Sequence, residues 1–299
     1  MFPIIPAASA AAETGNTEGI FGFGSSPGYV ATTNLVSNTG VVATDVAGVT
    51  SGGAYGAACE FGGDQGIFGF MYSTARGNVT SLTNLVANTG VVGADVAQVA
   101  TPKYVLSACS YGEDKGIFAF GNPDNGNVAT SNLISNTGVV STDVAAVGTP
   151  RRQSAGCEYG GDKGIFAYGN PSISVSNLVS NTGVVASDVS LVGTVRWALA
   201  ACSFGGDQGI FGYGYDGSNY SLTNLVSNTG VIATDTTGVG TDHRDLAACE
   251  YGGDKALFGF GMSTGKTAIT NLVSNTGVVA TDTAGVGDAR SDLAACSFN

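Results

Sequence analysis

The stretch Asn-Leu-Val-Ser-Asn-Thr-Gly, at residues 34–40, decides the fold because it returns five more times almost unchanged. The six copies begin at Asn34, Asn84, Asn132, Asn177, Asn224 and Asn271. In every copy an Asp follows the first Asn after 11 residues, and a Cys follows that Asp after 14. Successive copies are 50, 48, 45, 47 and 47 residues apart. A fixed period in this range is the signature of a repeat protein.

Each unit contains four predicted β-strands. The first is Leu-Ala-Ala-Cys, as at residues 246–249, and a Gly- and Asp-rich turn such as 159–163 leads to the second, Ile-Phe-Gly-Phe. A loop of variable length precedes the third strand, Asn-Leu-Val-Ser. The Asn-Thr-Gly triplet then predicts a hairpin turn into a fourth strand, Val-Val-Ala-Thr-Asp-Val. No apolar periodicity of 3.6 residues indicates a helix.

Four strands in about 47 residues match the size of one blade of a β-propeller. The chain opens on a second strand at residues 19–24 and closes on a lone first strand at residues 293–298, which would complete the same blade. The sequence therefore predicts an all-β fold: a six-bladed β-propeller with four strands per blade, over residues 18–299. Residues 1–17 match no repeat and are predicted to form an extended arm.

The composition excludes several functional classes. Hydrophobic residues make up 43% of the chain and charged residues 11%, which favours a packed core over disorder. The net charge of −12, with only 11 Lys and Arg, predicts no nucleic-acid binding. No apolar run reaches the length of a membrane span, so no membrane insertion is expected. The first residues lack a basic region and retain Met1, which favours assembly in the cytoplasm over secretion.

A Cys and an Asp repeat in every unit and are the candidates for disulfide or metal chemistry. The cysteines occupy one strand position per unit in a chain large enough to need no disulfides, so we expect reduced thiols in the core. The fourth-strand Asp residues, from Asp45 to Asp282, are expected to tie a strand to a turn or to a neighbouring Arg. An Asx turn explains the turn residues Asp64, Asp114, Asp162, Asp207 and Asp254. The sequence therefore predicts no metal site and no cofactor.

A basic residue stands six positions before the Cys in five units: Lys103, Arg151, Arg196, His243 and Arg290. His243 is the only His, and its place in this series predicts a basic surface position and not a general base. His-Glu-x-x-His and phosphate-loop motifs are absent. We therefore expect no enzyme activity and no catalytic residues.

The variable loops between the second and third strands are the predicted binding elements, because they lie on the same face of a propeller as the connections from fourth to first strands. Aromatic and Arg residues suit protein or glycan recognition. The alternative is that these loops have diverged without a function. The residues expected on this face are Tyr29, Met71, Tyr72, Arg76, Asn122, Asp124, Asn125, Arg151, Arg152, Trp197, Tyr215, Asp216, Tyr220 and His243.

The unit resembles the kelch repeat in architecture, with its basic residue before the first strand, its apolar second strand and its variable loop. It is more similar to the kelch-like repeats of tailed-phage and environmental viral genomes, in the series Asn-Thr-Gly, Thr-Asp, Ala-Arg and Leu-Ala-Ala. This resemblance implies a virion component in a tail, an appendage or a decoration, and it brings no catalytic residues.

The arm completes the functional hypothesis. Phe2, Pro3, Ile4, Ile5 and Pro6 give it a stiff, apolar character, and we expect a partner subunit to hold it. The first hypothesis is thus a phage virion protein that is anchored by its arm and presents a loop face to a protein or host surface. The alternatives are a subunit of an extracellular filament or adhesin, and a propeller lectin or hydrolase.

Overall fold

A computed structural model describes residues 17–48 and 50–298 and has an all-β fold. Its 21 strands are numbered here in chain order. They are β1 Glu18–Gly22, β2 Thr33–Val36, β3 Ala57–Phe61, β4 Gln65–Gly69, β5 Tyr72–Ser73, β6 Asn78–Val79, β7 Thr83–Val86, β8 Ser107–Tyr111, β9 Lys115–Ala119, β10 Ser131–Ile134, β11 Ala155–Tyr159, β12 Lys163–Ala167, β13 Val175–Val179, β14 Val189–Ser190, β15 Ala200–Phe204, β16 Gln208–Gly212, β17 Thr223–Val226, β18 Ala247–Tyr251, β19 Lys255–Gly259, β20 Thr270–Val273 and β21 Ala294–Phe298. A single 3₁₀ turn, Thr74–Arg76, lies between β5 and β6.

The strands form antiparallel sheets that follow the repeat. Sheet 1 has the order β2-β1-β21, sheet 2 β3-β4-β7, sheet 3 β8-β9-β10, sheet 4 β11-β12-β13-β14, sheet 5 β15-β16-β17 and sheet 6 β18-β19-β20, and β5 pairs only with β6. The predicted pairing of the chain's last strand with its opening strand is confirmed, since Cys296 of β21 lies opposite Ile20 of β1.

The register is the same in every sheet. The Cys of each first strand lies opposite the central apolar residue of the second strand, as Cys59 does to Ile67. That residue in turn lies opposite the Leu of the third strand, here Leu85. Four first strands, β3, β11, β15 and β21, alternate buried and partly exposed positions, whereas β18 is buried throughout and four of the five residues of β4 are buried. Period-2 alternation places the Cys on the face that packs against a neighbouring sheet.

The hydrophobic core lies between sheets. One buried cluster joins Phe61 and Ile67 of sheet 2 to Phe118 and Ile134 of sheet 3, and five further clusters are built in the same way. The first strands pack in the cyclic series β3, β8, β11, β15, β18, β21 and back to β3.

All six cysteines are free and buried, as the sequence predicts. Five of the six thiols face a glycine, and each of these five packs against the second strand of the next sheet. A Cβ placed on Gly116 would lie 2.6 Å from Cys59 Sγ, and one on Gly164 would lie 2.5 Å from Cys109 Sγ. Burial raises the pKa of every one of these thiols. The cysteines are therefore packing residues at the sheet interfaces.

The predicted fourth strand is largely wrong. Only sheet 4 has one, and elsewhere the segment makes two isolated bridges, as Val36 does to Val42 and Thr33 does to Val46. Two residues separate the bridged positions on β2, but three separate them on the partner segment, so the segment bulges. The Asn34 side chain fills the gap by donating to the Ala43 carbonyl at 3.0 Å and to Asp45 Oδ1 at 2.8 Å. A side-chain amide thus replaces part of the backbone ladder.

The structural role predicted for the fourth-strand Asp is confirmed. Asp45 accepts the Asn34 bond and a second bond from the Asp288 backbone N–H at 2.8 Å. Its Oδ1 lies 3.7 Å from Arg290 Nη1. The same carboxylate in the other units also accepts from the Asn of its own sheet.

Candidate binding face

The variable loops and the connections to the first strands meet on one face, called the loop face below. A residue just before each first strand forms a backbone bridge with a residue just after a second strand. These pairs are Ser291 with Ser25, Ala54 with Tyr72, Tyr104 with Asn122, Arg152 with Asn170, Trp197 with Tyr215, and Arg244 with Met262. The two kinds of loop therefore lie at the same end of each sheet.

A cycle of six backbone hydrogen bonds is formed by the residues that directly follow the bridged residues before the first strands. Each member is the residue four positions before a Cys, and its N–H donates to the carbonyl of the next member at 2.7–3.0 Å. In donor-to-acceptor order the members are Tyr55, Asp292, Asp245, Ala198, Gln153 and Val105, which donates back to Tyr55. We call these six residues the inner ring. The backbone of the loop face is thus fixed in the same way in all units.

The side chains on this fixed backbone differ from unit to unit. In chain order the inner ring carries Tyr, Val, Gln, Ala, Asp and Asp, and the position before it carries Ala, Tyr, Arg, Trp, Arg and Ser. The opposite end of the sheets, called the turn face, behaves differently. Its Asn-Thr-Gly-Val turns are identical in all six units, although the last Val is 63–66% exposed in each. Exposure alone therefore does not account for the diversity of the loop face.

Four tyrosines contact one another at one side of the loop face. The ring centroids of Tyr29 and Tyr72 are 5.6 Å apart, as are those of Tyr72 and Tyr104. Tyr55 completes the group at 6.2 Å from Tyr104 and 6.5 Å from Tyr29. All four side chains are partly exposed. This tyrosine quartet joins residues from three consecutive sheets and presents aromatic surface to solvent.

A second aromatic group lies elsewhere on the same face. Trp197 and Tyr215 meet edge to face at 5.5 Å, and the guanidinium of Arg244 lies 4.4 Å from the Tyr215 centroid. Arg244 is held by Asp245 Oδ2 at 3.1 Å and by Asn219 Oδ1 at 2.9 Å. The cation of this group is therefore supplied by the chain itself.

Two carboxyls belong to the inner ring and border a cavity of about 80 Å³. Asp245 pairs with Arg244, whereas Asp292 accepts a hydrogen bond from Ser291 Oγ at 2.8 Å. Burial and the nearby Asp245 carboxyl raise the pKa of Asp292 to about 7. Burial is the main cause that raises the pKa of Tyr55 to about 12, and the charge of Asp292 is the next. An acidic group thus lies beside the tyrosine quartet.

His243 and Arg151 are fully buried, so the expectation that they lie on the surface is wrong. Each basic residue of this series packs on the aromatic ring that ends the second strand of the preceding unit. Arg151 lies 3.6 Å from the centroid of Phe120, and the His243 ring lies 4.2 Å from that of Tyr213. Burial lowers the pKa of His243, which favours the neutral imidazole. These side chains tie adjacent sheets together.

Gly53 is the one exception in the basic series, and a loop residue replaces the missing cation. Arg76, from the longest variable loop, lies 5.6 Å from the Phe23 centroid and pairs with Asp95 at 2.7 Å. Its side chain is 2% exposed. Phe23 and Asp95 are the ring and carboxylate that a basic residue at position 53 would meet. Arg76, expected on the surface, is therefore a buried structural cation.

The remaining predicted residues fall into two groups. Met71 and Asn122 are buried, because they follow the second strands directly and pack beneath the loops. Tyr29, Tyr72, Arg152, Trp197, Tyr215 and Tyr220 are partly exposed on the loop face, and Asp124, Asn125 and Asp216 are exposed. The predicted arm residues Phe2, Pro3, Ile4, Ile5 and Pro6 lie outside the described residues.

Sequence reasoning missed five residues of this face: Tyr55, Tyr104, Arg244, Asp245 and Asp292. Aligning the units on their Cys would have found them. The position six residues before the Cys is almost always basic, but the next two positions differ in nearly every unit. Such a break in an otherwise uniform repeat marks a variable surface on a common scaffold.

The turn face has its own cavity, of about 280 Å³. The residue after each Cys alternates between Glu and Ser around it: Glu60, Ser110, Glu158, Ser203, Glu250 and Ser297. Burial, together with Asp162 and Glu113, raises the pKa of Glu158 to about 7. Within residues 17–48 and 50–298, no cluster of three His, Cys, Asp or Glu side chains has a geometry suited to a metal ion.

Comparison with known proteins adds no relative. The sequence matches no protein-family model, and a search of curated proteins finds no match. In the part of the chain that the structure describes, no helix has the length and apolar character of a membrane span.

Proposed function

We propose that this chain is a six-bladed β-propeller that acts as a non-enzymatic structural and binding subunit. Three observations support the architecture. The first strands pack in a cyclic series of six, the inner ring links the same six units by hydrogen bonds, and β21 pairs with β1 to complete sheet 1. A propeller of this kind places six small antiparallel sheets around one axis, and here the bridged fourth segment takes the place of the outermost strand in five of them.

The contrast between the two faces carries the functional proposal. The Asn-Thr-Gly-Val turns of the turn face are identical in all units, whereas the loop face presents different side chains on a backbone that the bridges and the inner ring hold fixed. Binding residues are usually mounted on loops that a rigid scaffold positions. Two groups of aromatic side chains, which are enriched at recognition surfaces, lie on the loop face. The loop face therefore serves recognition, and the turn face serves the scaffold.

We place this subunit in a virion of the tailed-phage type, as a tail, appendage or decoration protein that is assembled in the host cytoplasm. The repeat resemblance supports this assignment, and the apolar sequence of the arm suits a role as the anchor to other subunits. A subunit of an extracellular filament or adhesin, and a propeller lectin, are the alternatives.

The test is the mass of the native assembly, measured by light scattering and electron microscopy for the full chain and for a chain that lacks residues 1–16. We expect the full chain to join a particle or filament and the shortened chain to remain a folded monomer. Two identical monomers would refute assembly through the arm. A matched pair of variants then separates the faces: Trp197→Ala on the loop face should abolish receptor or host-surface binding, and Val139→Ser on the turn face should leave it intact.

A further inference from the structure

The chain repeatedly places a cation over an aromatic ring. Six Lys or Arg side chains lie 3.6–5.6 Å from a ring centroid: Arg76 on Phe23, Lys103 on Phe70, Arg151 on Phe120, Arg196 on Tyr168, Arg244 on Tyr215 and Arg290 on Phe260. A carboxylate accompanies the cation in several of these groups, as Asp95 does Arg76 and Asp235 does Arg196. Ring, cation and carboxylate thus form a recurring three-part arrangement.

The tyrosine quartet has two of these three parts. Tyr29, Tyr55, Tyr72 and Tyr104 supply the rings. Asp292 adjoins Tyr55 in the inner ring, because the Tyr55 N–H donates to the Asp292 carbonyl at 2.9 Å and both residues border the same cavity. Burial and the Asp292 carboxyl raise the pKa of Tyr29 and of Tyr55. Among the described residues, no Lys or Arg lies over any of the four rings, and Asp292 belongs to none of the ion pairs.

The charges of Lys266 and Arg244 act on Asp292, but both side chains make their direct contacts elsewhere. Lys266 donates to Ser25 Oγ and to the Ser26 carbonyl, both at 2.7 Å. Arg244 is committed to Asp245 and to the ring of Tyr215. The chain itself therefore does not complete this group.

We propose that the tyrosine quartet, with Asp292, binds a Lys or Arg side chain of a protein partner. The inference rests on the proposed function, because it names the partner chemistry of the loop face. A cation is attracted to ring faces and to the carboxylate together, whereas a neutral glycan compensates no charge. The net charge of −12 also favours the approach of a basic partner surface.

The experiment uses the full chain with ¹³C-labelled tyrosine rings, titrated in an NMR tube with Nα-acetyl-arginine amide and Nα-acetyl-lysine amide. The neutral isostere Nα-acetyl-norleucine amide and a neutral disaccharide, maltose, are titrated in parallel. Tyr72→Leu removes one ring and Asp292→Asn removes the charge without changing shape. Tyr215→Leu is the matched control, because its ring already carries Arg244. Near-UV circular dichroism confirms that each variant is folded.

We expect the quartet rings to shift with either cationic ligand, saturating in the millimolar range that a single side-chain contact allows. The norleucine amide should bind about tenfold more weakly or less. Tyr72→Leu and Asp292→Asn should each weaken binding of the arginine amide about fivefold to tenfold. Tyr215→Leu should change it by less than about twofold.

Three results would overturn the inference: equal binding of the norleucine amide, equal weakening by Tyr215→Leu, or no shift of the quartet rings with either cation. Shifts of the quartet rings by maltose alone would also overturn it, while leaving the loop face as a recognition surface and favouring the lectin alternative. Failure of the proposed function appears separately, in the assembly and receptor-binding measurements.

Discussion

Replacing Arg76 by Met tests whether a loop residue supplies the cation missing at Gly53. Met keeps an apolar stem but removes the charge that lies over Phe23 and pairs with Asp95. A desolvated cation–π contact contributes about 1–2 kcal/mol. The ion pair adds up to about 1 kcal/mol, discounted because the Asp95 side chain is 30% exposed. We expect Arg76→Met to lower the free energy of unfolding by about 2 kcal/mol.

The assay is urea unfolding followed by circular dichroism, with thermal unfolding alongside. An unfolding entropy of about 2.1 cal/mol/K per residue gives about 0.6 kcal/mol/K for 299 residues, so the midpoint temperature should fall by about 3 °C. Arg152→Met is the control, because Arg152 is partly exposed and donates to Asn127 Oδ1 at a long 3.3 Å. It should cost less than about 0.5 kcal/mol.

If Arg76→Met and Arg152→Met lower the free energy of unfolding by the same small amount, Arg76 does not replace the basic residue that is missing at position 53. A double-mutant cycle with Asp95→Asn sharpens the result. The cycle should give a coupling energy of about 1 kcal/mol between Arg76 and Asp95, and a coupling near zero would show that the pair contributes no stability.

Four further predictions concern packing, reactivity and pH. Gly116→Ala should destabilise the fold by about 1–3 kcal/mol in urea unfolding, because the new Cβ meets Cys59 Sγ at 2.6 Å, and adding Cys59→Ala should recover part of the loss. Ala256 holds the equivalent position in one buried cluster with Cys202, so Ala256→Gly should cost about 1 kcal/mol by the same assay, and a stabilising effect would contradict the account. The native cysteines should resist alkylation by iodoacetamide at pH 8 and react fully only in urea, as measured by mass spectrometry. The pKa of Asp292 is raised to about 7 in the fold, so its contribution to stability is complete below about pH 4 and is lost as the pH rises through 7. Stability should therefore fall between about pH 4 and pH 7, and Asp292→Asn should reduce that fall.

The sequence predicted most of the strands because the repeat determines them. Period, turn glycines and apolar alternation located the first three strands of every unit, and the opening and closing segments predicted the pairing of β1 with β21. The bulge that replaces a regular fourth strand could not be predicted in this way. Its Val-rich pattern is typical of a strand, but the buried Asn34 side chain occupies the hydrogen-bonding positions that a regular ladder would need.

The candidate site was predicted less well, for a physical reason. Charge indicates a surface residue only when no internal ring and carboxylate are available to hold it. His243, Arg151 and Arg76 each have such partners and are buried. Tyr55 and Asp292 were missed because their neighbourhood depends on contacts between units. No spacing within one unit records those contacts.

The inner ring has an energetic consequence. Its six residues have backbone φ between 50° and 64°, the left-handed region in which a side chain costs about 1 kcal/mol or more. Glycine would relieve that strain, and the chain contains 47 glycines, yet none occupies these six places. The total, about 6 kcal/mol, is comparable with the whole net stability of many domains. The inner ring thus carries side chains at a cost in folding free energy that six glycines would avoid.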